Sequence, residues 1–267
     1  MEFKTLADKI QFYVKNKAEM ISLKKSSMKY TEPFGMIDTE ANANKALNTN
    51  YTDDVSTGII KRTVIGNTYN WMDSQDDVLC DNCFAVSLKD RQNSIWHLHD
   101  HLQQIGAKVG KPVSIYEKAI DWADIGIDHT GKTQALMMDS NIMKSLNASI
   151  YEQYLNKEIN QHSVGMQYVK VYLAVNDSKM KEEYAVWNKY INNIGNKAEV
   201  EAKGMFWAVT EGKLIEISAV LTGANSLTPT LENKMVELLK SSEAEKIQPK
   251  EIYSNIARYL KDNPLTK

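Results

Sequence analysis

A serine, a cluster of histidines and a solitary glutamate are the residues of this chain whose types and spacing suggest chemistry. Ser163 lies in Gln161-His162-Ser163-Val164-Gly165-Met166, at the mouth of a strand-like run. A serine hydroxyl is a poor nucleophile until a neighbouring base accepts its proton. Gly165 permits close backbone approach, which suits N–H groups that must face an oxyanion. Taken alone, the serine also fits a turn that merely opens a strand. Four of the five histidines are His97, His99, His101 and His162. Imidazole can act as a general base near neutral pH. On a strand, His97, His99 and His101 would share a face; on a helix, His97 and His101 would share one and His99 would not. Packing or surface histidines fit the cluster as well. Glu216 sits between Ile215 and Ile217 in a largely apolar run, Leu214 to Leu221. A carboxylate there is costly unless it is paired or hydrogen-bonded. A histidine N–H would satisfy it and be oriented by it, the role of the third member of a serine–histidine–acid triad. An edge-strand glutamate reaching water is the alternative.

The same histidines allow a second chemistry. Cys80-x2-Cys83 precedes His97-x3-His101, a pattern close to a zinc finger. Its interior fits poorly, because the packing aromatic and leucine between the ligand pairs are missing from their usual offsets. The expected cofactor and metal content is therefore none.

Composition narrows the function classes. The chain has 267 residues, 43% hydrophobic and 25% charged, with a formal net charge of -2. Length and composition suit a globular core. Without a long basic run, a phosphate-neutralising nucleic-acid surface is not expected. Met1 to Lys24 contains no uninterrupted apolar segment, so a secretory signal is not expected. No stretch approaches the roughly 20 apolar residues needed to span a bilayer. Two cysteines cannot make a disulfide framework. The expected compartment is a bacterial cytoplasm or a particle assembled there.

The elements that must position these residues follow from periodicity. Residues 3–24 read as an amphipathic helix and 31–57 as loop. Gly58 to Asn70 reads as a strand, Met72 to Asp77 as a polar turn, and Val78 to Leu88 as strand or loop. Asn93 to Gly106 fits either a helix or a strand. Val113 to Tyr116 is a short strand and Leu136 to Lys157 a helix. Ser163 to Val175 is a strong strand and Met180 to Ile194 a helix. Met205 to Thr210 and Leu214 to Leu221 read as two strands joined by a hairpin-like turn at Glu211-Gly212. Helices are expected at Leu231 to Leu239 and Ile252 to Leu260. Strands interleaved with helices, without βαβ regularity or a glycine fingerprint, indicate an α+β domain around a sheet or barrel.

Four blocks of this sequence resemble the prohead (capsid maturation) serine proteases of tailed phages, a family related in fold to the herpesvirus assemblins. Asp73 to Leu88 resembles the family's early acidic turn, with Cys83-Phe84 where small residues are common. Leu98-His99-Asp100-His101, followed by Gly110-Lys111-Pro112, resembles its leucine-x-Asn-His motif and following Ile-Gly-Lys. Ser163-Val164-Gly165-Met166 resembles its Ser-Ile-Gly-Tyr nucleophile block. Leu214 to Asn225 resembles its Glu-Val-Ser-Leu-Val…Ala-Asn block.

The resemblance covers roughly residues 58–228. It implies an assemblin-like β-barrel or sheet core surrounded by helices, with the protease domain at 55–228. A helical and loop extension at 1–54 and a helical tail at 229–267 would flank it. By the same resemblance Ser163 is the nucleophile, His101 the base and Glu216 the third member. His99, which keeps the following aspartate, is the other candidate base. Oxyanion donors would lie near Gly165 or the Gly223-Ala224-Asn225 loop. The implied activity is that of a serine endopeptidase inside the procapsid, cleaving scaffold or capsid-protein N-terminal regions or both, with the enzyme itself as a candidate further substrate. Its partners would be the phage scaffold and major capsid proteins, with self-association and with neither nucleic acid nor membrane. The alternative is a catalytically inactive scaffold or assembly protein of the same fold, working through its flanking helices.

Overall fold

The structure, a computed structural model, describes residues 3–29, 53 and 55–231. Among them are nine strands: β1 (Met28–Lys29), β2 (Ile59–Thr68), β3 (Asp77–Leu79), β4 (Trp96–His99), β5 (Lys108–Asp121), β6 (Lys132–Met143), β7 (His162–Val175), β8 (Met205–Ala219) and β9 (Thr230–Leu231). Six helices accompany them: α1 (Leu6–Lys15), α2 (Lys17–Ser26), α3 (Ala85–Arg91), α4 (Ala148–Leu155), α5 (Lys181–Tyr190) and α6 (Lys197–Lys203). The fold is α+β, built on one large open sheet of order β1-β7-β8-β4-β5-β6-β2-β9, with β3 added beside β8. Pairing is antiparallel except where β3 and β4 run parallel to β8. No helix of the described residues is long and apolar enough to cross a membrane.

Alternation along β8 sets the layers. Met205, Trp207 and Val209 enter the main core, while Phe206 and Ala208 join Trp187 of α5 and Val200 of α6 in a second cluster. A third cluster gathers Trp71, Trp122, Met137, Leu227 and Leu231. Residues 3–24 form two helices, α1 and α2, rather than one. Tyr13 meets Trp207 edge-on with ring centroids 5.7 Å apart. The N-terminal segment then adds β1 to the edge of β7, with Met28 opposite Gln167 and Lys29 opposite Met166.

Three further elements differ from their sequence reading. Leu136–Lys157 is not one helix: β6 ends at Met143, and Asn147 caps the short α4 by accepting the Ile150 N–H at 3.1 Å. β6 lies inside the sheet between β5 and β2, so Ala135-Leu136-Met137-Met138 is buried in succession. Strands covered on both faces lose their alternation, and their apolar runs imitate a buried helix. Val78–Leu88 yields only the end of β3, followed by α3. Met205–Leu221 is one strand to Ala219 rather than a hairpin, paired along its length with β7. Gly212 is there for close approach instead of turning: a Cβ on it would lie 2.7 Å from Phe84 Cε1. Val113–Tyr116 is the middle of the longer β5, and the strand alternative describes Trp96–His99. The helices expected at Leu231–Leu239 and Ile252–Leu260 lie outside the described residues, Leu231 excepted, as does most of 31–57.

Candidate active site

Three adjacent strands, β7, β8 and β4, bring the candidate residues together. β7 and β8 pair with Ser163 opposite Ser218 and Gly165 opposite Glu216. Directly opposed residues share a face, so Ser163, Gly165, Glu216 and Ser218 form one patch. On the other flank β4 runs parallel to β8, with Trp96 beside Glu216 and Leu98 beside Ser218.

His101 reaches this patch from a turn. Asp100 and His101 have φ of 52° and 56°, and the Leu102 N–H donates to the His99 carbonyl at 3.1 Å. Two successive central residues with positive φ mark a mirror-image turn of type I′. Aspartate and histidine are among the few non-glycine residues enriched in that region. The turn is anchored on β8: the Asp100 N–H donates to the Ala219 carbonyl at 2.9 Å, and the His101 N–H donates to Ser218 Oγ at 3.2 Å. The imidazole thereby folds back over β8, placing Nδ1 2.6 Å from Glu216 Oε1.

Glu216 is only 1% exposed, and Ser163 7%. Its second oxygen, Oε2, accepts from the Ser218 hydroxyl at 2.5 Å. The carboxylate fills the space left by a missing side chain at Gly165, where a Cβ would stand 2.0 Å from Oε1. The smallness of Gly165 seats the acid. Of the other oxyanion candidates, Gly223 packs tightly on β7, a Cβ there falling 2.7 Å from the His162 carbonyl oxygen. The Asn225 side chain is committed to the fold, donating to the Thr68 carbonyl at 2.7 Å. A groove of about 340 Å³, lined by Trp96, Leu98, Ile105, Ile215 and the basic Arg91 and Lys108, opens beside Glu216.

The remaining histidines lie elsewhere. His99 Nδ1 is 2.9 Å from Oδ2 of the exposed Asp100 and does not join the Glu216 carboxylate. His97 and His162 sit buried on the opposite face of the sheet, bridged by the Tyr154 hydroxyl at 3.0 and 2.8 Å. His162 Nδ1 meets the Thr228 carbonyl at 3.0 Å and His97 Nδ1 meets Ser140 Oγ at 3.0 Å. A carbonyl only accepts, so His162 carries its proton on Nδ1 and receives the tyrosine O–H at Nε2. Tyr154 in turn accepts from His97 Nε2–H, and Ser140 donates to His97 Nδ1. Burial holds both imidazoles below their ordinary value, His162 at about 4 and His97 further lowered by His162.

The zinc pattern does not assemble. Cys80 belongs to the cluster under α5 and Cys83 to the main core. Burial pushes both thiols up, Cys80 to about 12, which disfavours the thiolate that binds metal. His97 and His101 are engaged with Tyr154 and Glu216. Among the described residues no group of three or more His, Cys, Asp or Glu is arranged to hold a metal ion.

Ser218 escaped the sequence reading of the site. Its signal was parity: it stands two residues after Glu216, on the same face of the same strand. Comparisons with protein-family models, curated proteins and solved structures find no match.

Proposed function

We propose that the protein is a serine endopeptidase of phage capsid maturation, with Ser163 as nucleophile, His101 as general base and Glu216 as the acid that orients it. The observation carrying this reading is the 2.6 Å contact from His101 Nδ1 to the buried Glu216, on the patch that also holds Ser163. A carboxylate accepting at Nδ1 fixes the proton there and leaves Nε2 as the ring's acceptor. His101 Nε2 then takes the Ser163 proton as Oγ attacks the scissile carbonyl. The imidazolium forms beside Glu216, which stabilises its charge. His101 returns the proton to the leaving amine, and water hydrolyses the acyl-enzyme by the reverse sequence. The groove beside Glu216 is suitably placed to receive a substrate side chain.

The capsid setting rests on the four sequence blocks, and with it the assemblin-like ancestry of the fold. In this reading the enzyme works inside the procapsid, on scaffold and capsid-protein N-terminal regions and on itself. The test is co-expression of wild-type and Ser163→Ala protein with the neighbouring scaffold and capsid proteins, read by intact mass. Shortened products with wild type alone are expected. Equal cleavage by both proteins overturns the assignment of Ser163, and cleavage by neither favours the inactive assembly protein.

A further inference from the structure

We infer that Ser218 is the positioning residue of this site: one hydroxyl that sets both the acid and the base. The inference rests on the triad reading above and extends it to a fourth side chain. Ser218 is fully buried and makes two contacts that point in different directions along the catalytic chain. Its O–H donates to Glu216 Oε2 at 2.5 Å, and its Oγ accepts the backbone N–H of His101 at 3.2 Å.

Each contact answers a physical need. Glu216 is 1% exposed, so the charge of its carboxylate must be met by protein donors. His101 Nδ1 satisfies one oxygen and Ser218 the other. Gly165 presents its bare Cα to the same carboxylate, leaving room for it against β7. His101 has φ of 56°, a backbone conformation that persists only where its surroundings hold it. The Ser218 oxygen grips the N–H of that same residue. Imidazole and carboxylate are therefore registered against a common atom on β8, directly across from Ser163.

Ser218 is not itself the nucleophile in this arrangement. Its proton is directed at Glu216 rather than at His101 Nε2, and it is more deeply buried than Ser163. It acts through Glu216 and His101, and its removal should read as lost alignment rather than lost chemistry.

The test uses the full chain with Ser218→Ala, Ser218→Thr and Ser163→Ala, assayed on the capsid-protein substrate and with a serine-directed fluorophosphonate probe located by peptide mapping. Ser218→Ala should lower kcat by about tenfold to a hundredfold, the scale of a misaligned catalytic group, with KM nearly unchanged. Its kcat/KM profile against pH should change as well, because the carboxylate and the base lose the hydroxyl that holds both. Ser218→Thr, which keeps the hydroxyl, should recover most of the rate, and the probe should label Ser163 in wild type and, more slowly, in Ser218→Ala. A Ser218→Ala enzyme with wild-type kcat and pH profile overturns the positioning role while leaving the triad intact. Probe found on Ser218 overturns it as well. A wild-type protein that neither labels nor cleaves instead refutes the protease reading. Thermal melts of all variants separate misfolding from misalignment: a Ser218→Ala loss that follows unfolded fraction alone, with no pH shift in the folded remainder, also overturns the role.

Discussion

At Gly165 a single hydrogen atom decides whether the acid of the site has room. A Cβ there would stand 2.0 Å from Glu216 Oε1, 2.9 Å from Cδ and 3.1 Å from Cγ. The end of a glutamate is flexible in principle, but this one is buried, with one oxygen held by His101 and the other by Ser218. Gly165→Ala should therefore separate the carboxylate from His101 and abolish most peptidase activity. Alanine suits the mid-strand backbone, but the displaced carboxylate loses a donor while buried, so the melting temperature should fall as well. An active Gly165→Ala enzyme would show that the His101–Glu216 contact is dispensable. The two candidate bases separate at the same scale. His101→Gln should reduce kcat/KM by about a thousandfold or more. His99→Gln, whose imidazole pairs with the exposed Asp100, should remain near wild type. The reverse ranking in steady-state assays would transfer the role of base to His99.

Behind the site, α4 is tied to the sheet by the polar chain Ser140–His97–Tyr154–His162–Thr228. The chain is satisfied in one direction of donation, and it requires both imidazoles to be neutral. Tyr154→Phe leaves a buried His97 Nε2–H and a buried His162 acceptor unmatched, which should cost about 2 kcal/mol or more. Urea unfolding measures it. The same elements confer a pH dependence. His162 titrates at about 4 in the fold and His97 is also lowered, against roughly 6.5 for an unfolded histidine. Between these values the unfolded chain binds protons that the folded chain excludes, so stability rises with pH across the window and is complete above it. His162 alone accounts for about 3 kcal/mol at most. Urea midpoints at pH 7.5 and 4.5 should differ accordingly in wild type; an unchanged midpoint would mean the histidines are not held neutral.

Over the whole molecule, the N-terminal segment is fastened through buried charge. Lys29 bonds Asp73 and, at 2.6 Å, Asp77; Lys24 bonds Asp77 at 2.6 Å, and the Tyr168 hydroxyl donates to Asp77 at 2.5 Å. Burial opposes the Asp77 charge, yet Lys24 and Lys29 outweigh it and hold the carboxyl at about 2. Burial likewise opposes the Lys29 charge, but Asp73 and Asp77 keep it well above the ordinary lysine value. Lys29→Met takes the lysine from the buried Asp73 carboxylate, while Asp77 keeps Lys24, which should destabilise the fold by about 3–5 kcal/mol. Limited proteolysis should then release residues before β2 first, since β1 pairs with β7 at just two positions. A Lys29→Met protein as stable as wild type would mean that the packing and the other ion pairs of α1 and α2, such as Lys24–Asp77, fasten the segment.

The α+β class, the β7 strand and the α5 helix were legible in the sequence because their apolar residues follow a clear period, and β2 because a β-branched run lies between Gly58 and Asn70. The residue types of the site were legible too: a buried glutamate announces its need for a partner. What alternation could not convey is that His101 lies past the end of β4. Its direction is set by two positive φ angles and by bonds to β8, more than a hundred residues away in sequence. Nor could it convey that β8 is continuous, since Gly212 resembles a turn residue until Phe84 is seen packed on it. Local pattern reports which face of an element a residue occupies. Which residues meet across β7, β8 and β4 is decided by register, and register exists only once the sheet has formed.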